Sequence, residues 1–258
     1  PYAIYAKHSL KLRALNPLVQ SPDAPVRGII VHEIMERFIK SVMVEPENLT
    51  KAHLLETAST VLDAEAPWPA ARVMWLTKIE RIADWFIENE VKRQSYSRPA
   101  AFEKAAKGRH VLADLGFTLT GYADRIDRTD DGDILIYDYK TGTPPSVAEQ
   151  KAFDKQLLLE AAMIEEGGFK EIGPATVARA AYIGLGSKPI ERPAPLEDEP
   201  PHEVLAKLHA LITSYLSEDQ GFTSRRMVKT TDFAGDYDQL ARFGEWDATT
   251  EPTPEDLK

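Results

Sequence analysis

The chain has 258 residues, of which 43% are hydrophobic and none is cysteine, and its formal net charge is −10. That length and apolar content predict one large domain, and the missing thiols exclude disulfides, cysteine nucleophiles and cysteine-ligated metals. No apolar run reaches the roughly 18 residues of a membrane span, so we expect a cytoplasmic protein without a membrane segment. The negative charge is unfavourable for tight nucleic-acid binding, because phosphates are bound mainly by lysine and arginine.

Helices are predicted for most of the first 97 residues, at 1–15, 27–42, 47–63 and 70–95. The helix at 27–42 has an apolar stripe at helical spacing, formed by Ile30, Ile34, Phe38 and Ile39. His32 and Glu36 are four residues apart and therefore share a face of this helix. A single histidine at such a position is often structural, and Glu36 is either a partner of His32 or a solvated charge.

Three tryptophans in this helical region, Trp68, Trp75 and Trp85, could stack on bases. Buried packing is the better interpretation, because helical periodicity already accounts for them. The periodic apolar positions of the helix at 70–95 are Val73, Leu76, Ile79, Ile82, Phe86 and Ile87. We therefore expect a helical layer that frames a cleft.

The sheet is predicted to begin at 100–106 and 109–112 and to continue in a hairpin. The hairpin has strands at 117–127 and 133–140, joined by an acidic turn that contains Asp131 and Gly132. Side chains alternate along a strand, so Asp138 and Lys140 lie on one face and Tyr139 lies on the other. Asp124 on the neighbouring strand can reach the first face. Two carboxylates beside an ammonium indicate a site for a hard divalent cation next to a phosphate.

After the hairpin, one helix is predicted at 147–166, and it places Gln156 and Glu160 on the same face. Glu160 either holds water on a metal or faces solvent. An apolar strand at 175–185 is expected to be the last major strand, followed by a flexible Pro-rich acidic connection at 191–201. A helix at 201–217 then has Val204, Leu205, Leu208, Leu211 and Ile212 on its inward side.

Basic residues near the sheet are candidate phosphate contacts, although solvated surface positions explain them equally well. They are Lys104, Lys107 and Arg109 near Gly108, and Lys151 and Lys155 on the helix at 147–166. Glu103 is not counted as a ligand. Arg225, Arg226 and Lys229 lie in the C-terminal segment.

Four blocks in order resemble the RecB-type branch of the PD-(D/E)xK nucleases. They are G-x-x-x-H-x-x-x-E at 28–36, G-Y-A-D-R-I-D at 121–127, I-Y-D-Y-K-T-G at 136–142 and Q-L-x-L-E at 156–160. The resemblance implies a restriction-endonuclease-like α/β fold, a mixed sheet flanked by helices with an N-terminal helical region. It covers a single domain, 1–258, with a helical frame at 1–97, the catalytic sheet and helix at 98–186, and a C-terminal helix and tail at 187–258.

The same resemblance implies the composition of the site. Asp124, Asp138, the Tyr139 carbonyl and His32 would hold Mg²⁺ or Mn²⁺. Lys140 would position or activate the attacking water, and Gln156 would orient water or the DNA backbone. The family usually has tyrosine where this chain has Glu160, so the role of that position is open.

The whole chain, up to its Y-D-Q-L-A-R-F-G-E-W ending, is similar to the C-terminal nuclease domain of the AddB family. This implies an exonuclease that repairs double-strand breaks with an AddA-like helicase–nuclease subunit, which feeds it a single DNA strand. The start at Pro1 suggests a fragment of a longer protein. Many members carry a four-cysteine iron–sulfur cluster, but this chain has 236–238 (DYD) there and no cluster is expected. Its ends would pack through Tyr2, Phe233, Tyr237 and Trp246.

Two other functions stay open: a catalytically silent DNA-binding module and a protein–protein scaffold within a larger complex. A silent module predicts a broken catalytic set, whereas Asp124, Asp138 and Lys140 are all present. The scaffold would suit the net negative charge. Metal-dependent nicking distinguishes an enzyme from both alternatives.

Overall fold

The computed structural model describes residues 2–13, 15, 21–102, 106–224, 235–247, 249–251 and 253. The helices are α1 Tyr2–Ile4, α2 Ala24–Val44, α3 Lys51–Glu65, α4 Pro69–Gln94, α5 Val147–Ala152, α6 Gln156–Glu165 and α7 Pro201–Leu216. The strands are β1 Ser97–Phe102, β2 Lys107–Leu112, β3 Phe117–Tyr122, β4 Arg125–Thr129, β5 Ile134–Lys140, β6 Val177–Gly184 and β7 Ile190–Pro193. The chain divides into two compact units, Ser21–Leu208, and Pro1–Gln20 with His209–Lys258.

Asp23 and Pro25 define the start of helix α2. The Asp23 carboxylate accepts a hydrogen bond from the Val26 amide, and Pro25 occupies the first turn, where its missing N–H costs nothing. The predicted stripe of Ile30, Ile34, Phe38 and Ile39 is buried and is confirmed. Helices α3 and α4 pack beside α2, and together they cover one face of the sheet.

The central sheet is mixed, as predicted, with strand order β1-β4-β5-β6-β7. Strands β5 and β6 pair in parallel, and every other neighbouring pair is antiparallel. The turn before β5 contains Gly132 with φ 94°, a left-handed conformation that favours glycine. Leu135, Tyr137 and Tyr139 face the α2–α4 layer, whereas Ile134 and Ile136 face α6. Strand β5 is therefore covered on both faces.

Three predicted elements differ from the structure. The strand expected at 117–127 is two strands: β3 pairs with β2 in a separate two-stranded sheet, and β4 joins the central sheet. The helix expected at 147–166 is interrupted between α5 and α6. The connection at 191–201, expected to be flexible, contains part of edge strand β7.

Two predicted amphipathic helices are also corrected. Val204 is buried in α7 and Leu205, Leu208 and Ile212 are half-buried, but Leu211 is 53% exposed, so the inward stripe predicted for this helix is wrong at Leu211 and only partly covered elsewhere. In α4, Val73 is exposed, but Trp75 is buried and Trp85 packs against the same core. Trp68 also packs against this core, which agrees with the packing interpretation.

The terminal unit has its own contacts. The predicted helix at 1–15 is limited to α1 and a π-helical turn, Tyr5–Ser9. The Tyr2 amide donates to the Thr223 carbonyl at 2.9 Å, and the Tyr237 hydroxyl donates to the Leu12 carbonyl at 2.9 Å. Trp246 contacts the ring of Phe243. The expectations for Phe233, Glu103, Lys104, Arg225, Arg226 and Lys229 lie outside the described residues.

Candidate active site

Asp124 lies in the break between β3 and β4, next to the end of β5. Its Oδ2 accepts a hydrogen bond from the Tyr139 amide at 2.7 Å, and its Oδ1 lies 3.3 Å from Nδ1 of His32. On α2, His32 also donates from Nε2 to the Tyr139 carbonyl at 2.7 Å. The structure thus brings together three of the four groups that the resemblance implies for a metal.

Asp138 and Lys140 extend from the face of β5 that α6 covers. Lys140 Nζ lies 2.8 Å from Asp138 Oδ2 and donates to Gln156 Oε1 at 3.1 Å. Gln156 in turn donates from Nε2 to Asp138 Oδ1 at 2.6 Å. The ammonium also lies 5.1 Å from the ring centroid of Tyr182. Gln156 therefore fixes both members of the D-x-K pair in position.

Glu160 completes this cluster, and the alternative that it faces solvent is wrong. Its side chain is one turn beyond Gln156, which donates to its Oε1 at 3.2 Å, and the residue is only 4% exposed. Within the described chain its Oε2 has no hydrogen-bond partner. We call His32, Asp124, Asp138, Lys140, Gln156 and Glu160 the carboxylate site.

Burial and like charge perturb two carboxyl groups of the carboxylate site. Burial, reinforced by the charge of Asp124, raises the pKa of Asp138 to about 6, against the opposing effect of Lys140. Burial, reinforced by the charge of Asp138, raises the pKa of Glu160 well above its usual value. One ammonium therefore faces three carboxyl groups, and the ionised form of the site has excess negative charge.

These residues fit a hard divalent cation. In the described part of the chain, no three histidine, aspartate or glutamate side chains gather around one point as a complete metal cage. Mg²⁺ does not need such a cage, because it uses one or two carboxylates and keeps several waters. Asp138 Oδ2 contacts the Lys140 ammonium at 2.8 Å, whereas Glu160 Oε2 is buried without a hydrogen-bond partner among the described residues. The Tyr139 carbonyl supplies a further oxygen, so the available donors are of the kind that a hard divalent cation prefers.

A second charged cluster lies on the other face of the same strands, and the sequence analysis missed it. Arg125 is 0% exposed and donates from Nε and Nη2 to the Asp127 carboxylate at 2.6 and 2.7 Å. Its Nη1 and Nη2 donate to Glu90 on α4 at 2.8 and 2.9 Å. Arg93 also contacts Glu90, at 3.4 Å. We call Glu90, Arg93, Arg125 and Asp127 the arginine cluster.

The pKa shifts of the arginine cluster favour the ionised forms, whereas those of the carboxylate site favour the neutral acids. The Glu90 and Asp127 charges raise the pKa of Arg125 well above its usual value, although burial opposes them. Arg125 and Arg93 lower the pKa of Glu90, also against burial. The ionised forms are therefore the stable ones here. Alternation in β4 places Arg125 and Asp127 on one face, a signal that could have identified this pair, but not its contact with Glu90, from sequence.

Other candidate residues lie outside the carboxylate site. Glu36 pairs with Lys40 along α2. Lys151 pairs with Asp198 at 2.7 Å, and Lys155 pairs with Glu199 at 3.1 Å, so neither ammonium is unpaired. Lys107 lies over the Tyr122 ring. In the described residues, no helix is long and apolar enough to span a membrane.

The mixed sheet and the carboxylate site define a nuclease-like α/β domain, and comparison with known families agrees. The model of the PD-(D/E)XK nuclease superfamily matches residues 1–242, and the chain belongs to that superfamily.

Curated relatives occur in Rickettsia. An uncharacterized protein of Rickettsia bellii is 29% identical over 172 residues, which is 66% of this chain and 20% of the relative. One of Rickettsia felis is 28% identical over 193 residues, covering 73% of this chain and 22% of the relative. The chain thus spans about a fifth of the length of these relatives.

Proposed function

We propose that the chain is a metal-dependent deoxyribonuclease domain that hydrolyses phosphodiester bonds at the carboxylate site. The observation that carries this proposal is the contact of Asp138 with both Lys140 and Gln156, beside Asp124, in a member of a nuclease superfamily. Asp124, Asp138, His32 and the Tyr139 carbonyl would hold Mg²⁺ or Mn²⁺. The bound ion would lower the pKa of a water and offset charge on the phosphate.

Lys140 provides the positive charge that the protein itself contributes to the reaction. Its side chain is 32% exposed, so a substrate can reach it, and its contacts with Asp138 and Gln156 hold it in place. An ammonium in this position stabilises negative charge that develops on the phosphate and positions the attacking water by donating a hydrogen bond to it, while the neutral amine could accept a proton from that water. Gln156 orients Lys140 and Asp138 and is a positioning residue.

The wider role that we propose follows the likeness to the AddB family. The domain would degrade a single DNA strand from an end, as an exonuclease, while an AddA-like helicase–nuclease subunit feeds it that strand. This activity would serve double-strand break repair in the cytoplasm. The acidic character of the chain supports delivery of DNA by a partner, because the net charge of −10 disfavours tight binding by this chain alone.

The experiment compares variants of the full-length protein, assayed with its helicase partner. Asp138→Asn should lower Mg²⁺-dependent cleavage at least about 1,000-fold, an effect of roughly 4 kcal/mol on the barrier. Lys140→Gln should lower it about 100-fold or more while Mn²⁺ affinity, measured by calorimetry, stays within about threefold. Asp84→Asn is the matched control, since that carboxylate is exposed and pairs with Lys51 on the surface.

The choice of metal provides a further readout. Mg²⁺ and Mn²⁺ should support cleavage, whereas Ca²⁺ should bind and support it poorly, because it polarises water less. Wild-type protein that cleaves no DNA with any of these metals would support the silent module or the scaffold. Cleavage by Asp138→Asn at the wild-type rate would show that the site is elsewhere.

A further inference from the structure

A recess lies between α2 and α4, beside the ends of β5 and β6. Its apolar lining includes Trp75, Ile79 and Leu185, while Arg27 and Lys78 contribute its two cations. The recess lies at the same end of β5 as the carboxylate site, on the face toward α2–α4, whereas Asp138 and Lys140 extend from the face that α6 covers. Val31 precedes His32, Thr141 follows Lys140, and both line the recess. The Leu185 amide also donates to the Lys140 carbonyl at 2.7 Å.

The two cations of the recess differ from most others on the helical layer. The cations of α2–α4 that pair with carboxylates are Arg37, Lys40, Lys51, Arg72, Lys92 and Arg93. Arg27 and Lys78 form no ion pair with any described residue. In addition, Nε of Arg27 is buried without a hydrogen-bond partner among the described residues. A buried donor of this kind is unfavourable until an acceptor reaches it.

We infer that Arg27 and Lys78 bind a backbone phosphate of the substrate strand, next to the phosphate that is cut at Lys140. This inference rests on the proposed function in taking the substrate to be nucleic acid. The anionic oxygens of a phosphodiester can accept hydrogen bonds from both cations. Only backbone groups are contacted, so this subsite reads no sequence.

The subsite also explains how a chain with excess negative charge can hold DNA at its site. Most lysines and arginines of the helical layer pair with nearby carboxylates. Of those that form no ion pair with a described residue, Arg27 and Lys78 line the recess and Arg81 does not. Phosphate contacts fix the position of a strand without base recognition. The strand would therefore be held on the side of Lys140 where Thr141 and Leu185 lie.

The test uses the full-length protein with Arg27→Gln, Lys78→Gln and the double variant, each in an Asp138→Asn background that leaves the strand uncut. Fluorescence anisotropy measures binding of a labelled oligothymidylate at several salt concentrations. Each single variant should reduce the slope of log affinity against log salt by about 0.7, the value for one single-strand phosphate contact. The double variant should weaken binding about 10-fold or more at low salt. Lys170→Gln, an exposed cation away from the recess, is the control and should change neither quantity.

Two further measurements separate the possible failures. Arg27→Lys keeps the charge and should restore most of the affinity, and thermal unfolding of every variant shows whether it is folded. In protein with Asp138 intact, the double variant should raise KM about 10-fold while kcat changes less than about threefold. Metal-dependent cleavage together with wild-type affinity and salt slope in the double variant would overturn this inference alone. Loss of binding in the double variant, in a protein that never cleaves, would support the inference and reject the proposed nuclease.

Discussion

The arginine cluster on β4 and the carboxylate site at the end of β5 lie on neighbouring strands, yet their buried charges are balanced in one and unbalanced in the other. Asp124 and Arg125 are neighbours in the chain, but one belongs to each group. In the arginine cluster, two guanidinium groups face two carboxylates, and Arg125 donates to both acids. In the carboxylate site, one ammonium faces three carboxyl groups, two of which have raised pKa values.

This difference separates a structural role from a functional one. A buried ion pair with matched charges and good hydrogen bonds stays ionised in the folded protein, and removing one partner destabilises the fold. Excess like charge in a buried site opposes folding, so it indicates an interaction with something outside the chain. The arginine cluster joins α4 to β4, whereas the carboxylate site is suited to a cation and a phosphate.

The largest expected effect comes from breaking the arginine cluster. Arg125→Ala leaves Glu90 and Asp127 buried without their main partner, so the free energy of unfolding should fall by about 3–5 kcal/mol. Urea unfolding followed by circular dichroism measures this change. Arg37→Ala is the control, because Arg37 forms an exposed pair with Glu33 and should cost at most about 1 kcal/mol. Equal losses in the two variants would contradict the role assigned to the cluster.

The second prediction concerns the pH dependence of stability in protein kept free of divalent cations. The folded pKa of Asp138, about 6, exceeds the usual 3.8, so its protonated form is favoured in the folded state. Its contribution is therefore fully present below about pH 4 and is lost as the pH rises through about 6. Relative to Asp138→Asn, wild-type protein should lose up to about 3 kcal/mol over this interval.

Glu90 should show the opposite sign, because its pKa is lowered. Its contribution is present above its usual pKa and is lost as the pH falls. The measurement is urea unfolding of wild-type protein, Asp138→Asn and Glu90→Gln between pH 3.5 and about 7. A stability difference between wild type and Asp138→Asn that does not change with pH would show that this carboxyl group is not perturbed.

The smallest effect on stability at pH 7 is expected when a glutamate is replaced by glutamine in each cluster separately. Glu90→Gln should cost about 2 kcal/mol or more, since the amide no longer matches the charge of Arg125. Glu160→Gln should change the free energy of unfolding by less than about 1 kcal/mol, because burial already favours the neutral acid and the amide oxygen can still accept from Gln156. Similar costs at both positions would remove the distinction between the two clusters.

Sequence patterns were sufficient to predict the mixed sheet and the meeting of Asp124, Asp138, Lys140 and Gln156. Alternation in β5 and the four ordered blocks are local signals, and the hairpin brings them together. The arginine cluster was missed because Glu90 and Arg125 are 35 residues apart, and no local sequence pattern predicts their contact. The break before β4 was missed for a related reason, since it arises when β2 pairs with β3 alone.

The predictions for Glu160 and α7 show a second limit. An amphipathic pattern identifies an apolar face, but it does not say how much of that face is covered. In α7 only Val204 is buried. Conversely, a glutamate on a helix is expected to be solvated, and Glu160 is buried only because α6 packs against β5 beside Asp138.

The most direct test of the central claim is the effect of Mg²⁺ on the melting temperature of wild-type protein and of Asp138→Asn. If the excess charge of the carboxylate site is there to hold a cation, Mg²⁺ at about 100 times its dissociation constant should stabilise wild-type protein by about 2.7 kcal/mol. Asp138→Asn should show almost no shift, although without metal it should be at least as stable as wild type. An equal Mg²⁺-dependent shift in both proteins, or none in the wild type, would contradict the account.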